Sequence, residues 1–241
     1  MRRATDGSRS DARRAGPTHR YQVYVPRDYT SDRQWPVILF LHGAGERGSE
    51  GMRPAHVGLG RAIRFNPERW PAIAIFPQVP ERPRPFEIDD TWAGSSADVA
   101  IAALDATASA FSTDSDRVYL TGLSLGGNGT WVLGSRHADR FAALVAVCGF
   151  VDLGPRIEPF LPDADDPFAE VAEAIADVPV WIWYGDADVV VPVEQSRKMA
   201  AALEAAGADV RYTELERVNH NAWDPAYGDE ALATWLFAQR R

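Results

Sequence analysis

"DRVYLTGLSLGGNGTW", Asp116 to Trp131, sets one serine among glycines. A β-rich apolar run leads into Gly122-Leu123-Ser124-Leu125-Gly126, and a segment of helical pattern follows. By chance alone, a G-x-S-x-G pattern arises roughly 0.08 times in a chain of this length. The pattern is suggestive, and its setting adds weight. Strand, tight turn and helix are what a nucleophile elbow needs. The serine of such a turn takes unfavourable backbone angles, and its neighbours must lack bulk so that strand and helix can approach. Gly122, Gly126 and Gly127 meet that demand.

Outward from this stretch, apolar runs alternate with helical segments from about residue 21 onward. "YQVYVP", "WPVILFLHG", "AIAIFPQ", "DRVYLTG", "FAALVAVCG", "VPVWIWYGD" and "ADVRYTELE" read as strands, with helix as the rival for "FAALVAVCG". "DVAIAALDATASAF", "GTWVLGSRHADRF", "VEQSRKMAAALEAAG" and "DEALATWLFAQRR" read as helices, the third closed by Gly207. Such alternation predicts an α/β fold, a mostly parallel central sheet with helices on both faces. Chemistry then belongs at the carboxyl ends of the strands. The segment from Phe150 to Asp177 is the least regular. It is too short for a large lid domain and reads as a surface connection, with one wall of a pocket as the alternative. The proline-rich stretch from Pro77 to Ser95 reads as stiff loop.

The chain has 241 residues, 46% hydrophobic and 24% charged, which suits one sizeable core. We expect residues 1–20 to be a disordered tail and residues 21–241 a single domain. The formal charge of -9 argues against a nucleic-acid partner. The Arg-rich start lacks the apolar region of a secretory signal, and no stretch approaches the ~18 to 20 apolar residues of a membrane span. The expectation is therefore a cytoplasmic protein without membrane association, its oligomeric state open. Cys148, the one cysteine, sits in the apolar run "LVAVCGF" and reads as a buried, inert thiol.

A serine hydroxyl needs a base. Of the five histidines, His19 lies in the tail, and His42 follows a buried strand as a brace for the next loop. His56 lies in a Gly-rich loop, and His137 ends the helix after the elbow. His220, in "VNHNAWDP", follows the last predicted strand, where a base belongs. The base needs an orienting acid, and "WYGDADVVVP" ends a strand with two candidates, Asp186 and Asp188. The order Ser, Asp, His is that of the α/β-hydrolase fold.

The chain resembles α/β-hydrolase serine esterases. More narrowly, it is similar to the bacterial predicted-peptidase and phospholipase/carboxylesterase group, near feruloyl esterases and polyhydroxybutyrate depolymerases. The likeness is carried by "YQVYVPRDY", "WPVILFLHGAGERG", "DRVYLTGLSLGGNGTW", "HADRFAALVAVCG", "GDADVVVPVEQSRKM" and "VNHNAWDPAY". These run from Tyr21 to Tyr227, nearly the whole chain. The resemblance implies a triad of Ser124, Asp188 and His220, since the acid stands ahead of x-x-Val-Pro. Asp186 is then a turn residue. It also implies an oxyanion hole from the backbone amides of Leu125 and of Ala44, the residue after His-Gly, with Gly45 as the neighbouring alternative. Each such donor contributes roughly 3 kcal/mol to transition-state binding. No metal or organic cofactor is required.

Eight tryptophans are many for this length, and some must be core. Trp223, three residues past His220, and Trp92 are candidate walls of an acyl or aromatic pocket. Leu123 and Leu125 flank the serine as candidate apolar contacts. The expected function is hydrolysis of small or aromatic carboxylic esters through an acyl-enzyme. A peptidase and an acyltransferase would use the same triad. A non-catalytic scaffold fits poorly with all three side chains present. Glu46 and Arg47 would pair with each other or face the substrate.

Overall fold

The structure, a computed structural model, describes residues 20–81 and 88–241. The tail expected over residues 1–20 lies outside the described residues except at Arg20, and residues 82–87 of the proline-rich stretch lie outside them too.

Seven strands form one sheet in the order β1-β3-β2-β4-β5-β6-β7. They are β1 Gln22–Tyr24, β2 Trp35–Leu41, β3 Ile73–Phe76, β4 Thr113–Leu123, β5 Ala143–Val147, β6 Val180–Gly185 and β7 Val210–Leu215. Only β1 runs antiparallel to its neighbour; the other pairings are parallel. Every residue of β2, β3, β5 and β6 is buried. This explains their unbroken apolar runs, because an inner parallel strand is covered on both faces. β5 settles the ambiguity in "FAALVAVCG" in favour of strand.

Seven α-helices accompany the sheet among the described residues: α1 Gly58–Phe65, α2 Ser95–Ala110, α3 Leu125–Arg136, α4 Pro167–Ala174, α5 Glu194–Ala205, α6 Trp223–Gly228 and α7 Glu230–Ala238. None is long and apolar enough to cross a membrane. Alternate residues of β4 point to opposite faces of the sheet. Tyr119 meets Phe237 of α7, and Thr121 bonds Tyr227 of α6. Gly122, on the other face, lies against α3. Three helices depart from the sequence expectation, and the first of them, α1, lies in a Gly-containing stretch not among the expected helices. α4 falls inside the segment read as irregular, where Asp166 caps it by accepting from the amides of Phe168 (3.0 Å) and Ala169 (3.2 Å). Pro167 at its first position suits a helix start. α6 takes in the acidic run "DPAYG", which is not among the expected helices. At six residues it is too short to show a helical period, and its two buried residues, Ala226 and Tyr227, hold it to the core.

Among the described glycines, those at the join between β4 and α3 have the least room. A Cβ built on Gly122 would lie 2.1 Å from the carbonyl oxygen of Gly126. One built on Gly126 would lie 1.9 Å from the carbonyl oxygen of Leu41, in β2. Neither obstacle is a flexible side-chain end. Gly126→Ala is therefore expected to cost about 3 kcal/mol or more in urea unfolding. Gly228→Ala, where the added methyl meets nothing within 4 Å, should stay within about 0.5 kcal/mol of wild type.

Candidate active site

Ser124 sits between β4 and α3 with φ 53° and ψ -115°. This is the positive-φ region that side chains avoid, and the cost is on the order of 1–3 kcal/mol. The turn is held by neighbouring strands. The Ser124 amide donates to Val147 O of β5 (2.9 Å), and Ser124 O accepts the Asn128 amide in the first turn of α3 (3.0 Å).

Two loops bring partners to the serine. After β6, Asp188 presents a side chain with no exposed surface. Its Oδ1 accepts from the amides of Val190 (2.8 Å) and Val191 (3.0 Å). Its Oδ2 lies 2.6 Å from His220 Nδ1. A carboxylate only accepts, so Nδ1 carries the proton, and Nε2 is left to accept from Ser124 Oγ–H at 2.9 Å. Burial alone would push the Asp188 pKa up. The bond from His220 and the two amides outweigh it, and the carboxyl lies below its ordinary value. Asp186 stands elsewhere: its Oδ1 accepts the Arg217 amide, fixing the turn ahead of His220.

Asn219 was not singled out by the sequence. Its Oδ1 accepts both the Val189 amide (3.1 Å) and the His220 amide (2.7 Å), joining the two loops. No spacing or composition marks such a residue. Cys148 is buried, as expected, but its place is informative. It follows β5 with φ 41°, and its amide donates to Trp183 O (2.8 Å). Burial pushes its thiol far above the usual range.

Ala44 begins a 3-10 turn, Ala44–Glu46, directly after the His42-Gly43 pair at the end of β2. His42 is fully buried. Its Nδ1 donates to Gly43 O (2.6 Å), and its Nε2 accepts the Val79 amide (3.0 Å). Gly43 C=O and Ala44 N–H belong to one planar trans peptide and point in opposite directions. By holding the oxygen, His42 also sets the direction of the Ala44 N–H. Leu125 is the first residue of α3, and an amide there has no acceptor within its own helix. Its side chain is buried, so the expected apolar contact from Leu125 is corrected. Arg47 Nε donates to Ala44 O (3.0 Å), and burial raises the Glu46 carboxyl above its ordinary value.

Two more expected substrate contacts, Trp92 and Leu123, are corrected. Trp92 is fully buried. Its Nε1 donates to His42 O (3.0 Å), its ring meets His42 edge-on at 5.0 Å, and it fills the space beside Gly129. It braces the loop from behind. Leu123 is also buried; its methyls pack against Gly43 and Gly58, beneath the same loop. Of the eight tryptophans, Trp223 alone is not buried, and its ring stands perpendicular to the His220 ring at 5.5 Å. Trp223 begins α6, which is anchored below by Tyr227 OH donating to Thr121 Oγ1 (2.8 Å) and laterally by an Arg61–Asp224 ion pair.

A parallel sheet with a serine at a positive-φ strand–helix turn, followed by an acid after β6 and a histidine after β7, decides the architecture. The fold is that of the α/β-hydrolases. Residues 86–155, which include the elbow, match the prolyl oligopeptidase family. A thermostable esterase of known structure is 30% identical, with a TM-score of 0.73 over 91% of this chain and 58% of that one. A ferulic acid esterase from Anaeromyces mucronatus, solved with ferulic acid, is 16% identical, with a TM-score of 0.65 over 90% and 88% of the two chains. Among curated proteins, an uncharacterized secreted protein of Arthroderma benhamiae is 26% identical over 77% of this chain. This chain spans only 21% of that relative's length and 58% of the thermostable esterase's. The chain thus resembles α/β-hydrolase serine esterases, as its motifs imply.

The geometry at His42 has a pH consequence. Burial lowers its pKa from 6.5 to about 4. The unfolded chain therefore binds this proton at a higher pH than the folded one does. The contribution of His42 to stability is fully present above pH 6.5 and is lost as pH falls toward 4, by roughly 3 kcal/mol over that window. Urea unfolding of wild type and His42→Asn between pH 4 and 7 should show this slope in wild type and a shallower one in the variant.

Proposed function

We propose that this chain is a serine carboxylic-ester hydrolase acting through an acyl-enzyme, with Ser124 as nucleophile, His220 as base and Asp188 as orienting acid. The observation that carries this is the continuous relay from Asp188 Oδ2 through His220 to Ser124 Oγ, at 2.6 and 2.9 Å. Ser124 Oγ attacks the ester carbonyl carbon as its proton passes to His220 Nε2. The carbonyl oxygen becomes an oxyanion held by the amides of Ala44 and Leu125. The C–O bond to the alcohol then breaks, and Nε2 gives its proton to the departing oxygen. Water deacylates the serine by the same steps and releases the carboxylic acid. Asp188 stays ionised throughout, stabilising the imidazolium and fixing its tautomer.

Small or aromatic esters are the proposed substrates. The half-buried Trp223 ring beside His220 supports an aromatic or apolar group near the reacting carbon, and the likeness to ferulic acid esterases points the same way. Amide cleavage is the second reading, favoured by the prolyl oligopeptidase match across the elbow. An alkoxide leaves more readily than an amine anion, so ester turnover should be the faster of the two.

A fluorophosphonate probe should label wild type and leave Ser124→Ala unlabelled; labelling of the variant would remove Ser124 as nucleophile. Ester turnover should fall roughly 10⁴-fold in Asp188→Asn, where the imidazole takes the wrong tautomer. Asp186→Asn should lose far less, since that carboxylate touches a turn amide and not the imidazole. The reverse ranking would exchange the two roles. A panel of acyl esters of varied length and aromaticity, with one peptide substrate included, separates the ester and amide readings by their kcat/KM ratio.

A further inference from the structure

The loop that carries Ala44 is stitched to the segment after β3 by one buried side chain. Gln78, only 4% exposed, uses its whole amide head. Nε2 donates to Glu46 O (2.8 Å) and to Glu50 Oε1 (3.0 Å). Oε1 accepts the Gly51 amide (2.6 Å). The arrangement fits one amide orientation. Flipped, the side chain would set its oxygen against two acceptors and its NH₂ against an N–H. The adjoining residue completes the seam: the Val79 amide donates to His42 Nε2 (3.0 Å), and Val79 O accepts from the Gly48 amide (2.9 Å). Packing here leaves no slack, for a Cβ on Gly48 would lie 2.8 Å from Gln78 Nε2.

The seam reaches the Ala44 peptide from its far end. The Glu46 carbonyl is held by Gln78, and the Glu46 amide donates to Gly43 O (3.3 Å). That oxygen is the one His42 also holds. His42 grips the near end of the Gly43–Glu46 turn and Gln78 the far end. Without Gln78, the carbonyl of Glu46 would lose its partner and the turn would be fixed at one end only. A loop pinned once can rotate about the pin, and an oxyanion donor off by a fraction of an ångström loses much of its effect.

We propose that Gln78 is a positioning residue for the oxyanion hole, holding the 43–51 loop so that the Ala44 amide points at the developing charge. This rests on the hydrolase assignment made above. Side chains other than glutamine fail in specific ways. Glutamate has the length but replaces the donor by an acceptor facing two oxygens. Asparagine has the groups but lacks the reach. Leucine fills the space and makes no bond.

The test compares Gln78→Leu and Gln78→Glu with wild type on a chromogenic ester, with folding checked by circular dichroism and urea midpoint. In Gln78→Leu, kcat should fall about ten-fold or more while KM stays within two-fold. The affinity for a trifluoromethyl ketone, whose tetrahedral adduct places an oxyanion in the hole, should fall by the same factor as kcat/KM. A merely structural residue would lower the urea midpoint without this split. Gln78→Glu supplies a second readout that also serves if the leucine variant fails to fold. Its carboxylic acid can donate when protonated and repels Glu50 and the Glu46 carbonyl when ionised. Its kcat relative to wild type should therefore fall as pH rises from 5.5 to 8. A folded Gln78→Leu with kcat within two-fold of wild type overturns the proposal, as does a flat relative profile for Gln78→Glu. Ser124→Ala is run in parallel: turnover retained there overturns the hydrolase assignment and this proposal with it. Turnover lost there but kept in Gln78→Leu overturns only the role of Gln78.

Discussion

The site depends on the approach of three backbones: β2 at Leu41, β4 at Gly122 and α3 at Gly126. The carbonyl oxygens of Gly126 and Leu41 occupy the space where side chains on Gly122 and Gly126 would begin. This closeness forces the chain to reverse within one residue, and that residue, Ser124, takes a positive φ. Strand pairing resists relaxation on one side and the buried helix on the other. The strained serine is thus kept by packing that a single methyl would disturb. The same closeness brings the end of β2 beside the start of α3. The Ala44 and Leu125 amides leave from those two ends.

The remaining parts follow from parallel pairing. Strands β2, β4, β5 and β6 run in one direction, so their carboxyl ends open on the same edge of the sheet. Each then needs only a short loop to reach the serine. The described non-glycine residues with positive φ cluster near these loops: Ser124 after β4, Cys148 after β5 and Arg217 ahead of His220. Each also has an amide held from another strand or its loop: Ser124 by Val147 O, Cys148 by Trp183 O and Arg217 by Asp186 Oδ1. Bent backbone at this edge is secured by the next strand over, so the strained turns support one another across the sheet.

Much of this architecture was legible in the sequence because its causes are local or periodic. Buried strands wrote themselves as apolar runs, and the serine's turn wrote itself as glycine spacing. Chain order separated the two loop ends at Asp188 and His220; His220 meets Ser124 in hydrogen-bond contact, and Asp188 meets His220. Other features had no such signature. The helix at Trp223–Gly228 is too short for a period and is held by contacts with residues far away in the chain, Thr121 and Arg61. Asp166-Pro167 did signal the start of α4, but the acidic run before it masked the signal. Trp92 and Leu123 read as pocket walls because nearness in sequence to a loop or to the serine says nothing of direction. Alternation along β4 sends Leu123 under the turn that follows Gly43, and the Trp92 indole is drawn inward by the His42 carbonyl.

Gln78 and Asn219 show why polar bracing is harder to read than catalysis. A catalytic side chain must be one of a few types in a known order. A brace needs only hydrogen-bonding groups at the right distance, and the sequence does not record distance across 28 to 32 residues. The same asymmetry separates reaction from substrate. Ser124, Asp188 and His220 sit just past the ends of strands, where spacing constrains them tightly. The surfaces around them carry side chains such as Val189, 82% exposed, and Val190, 51% exposed, which core packing leaves unconstrained. Substitutions there would leave the strand register and the glycine contacts untouched. A fold built this way can change its loop side chains while the backbone that holds Ser124 stays the same.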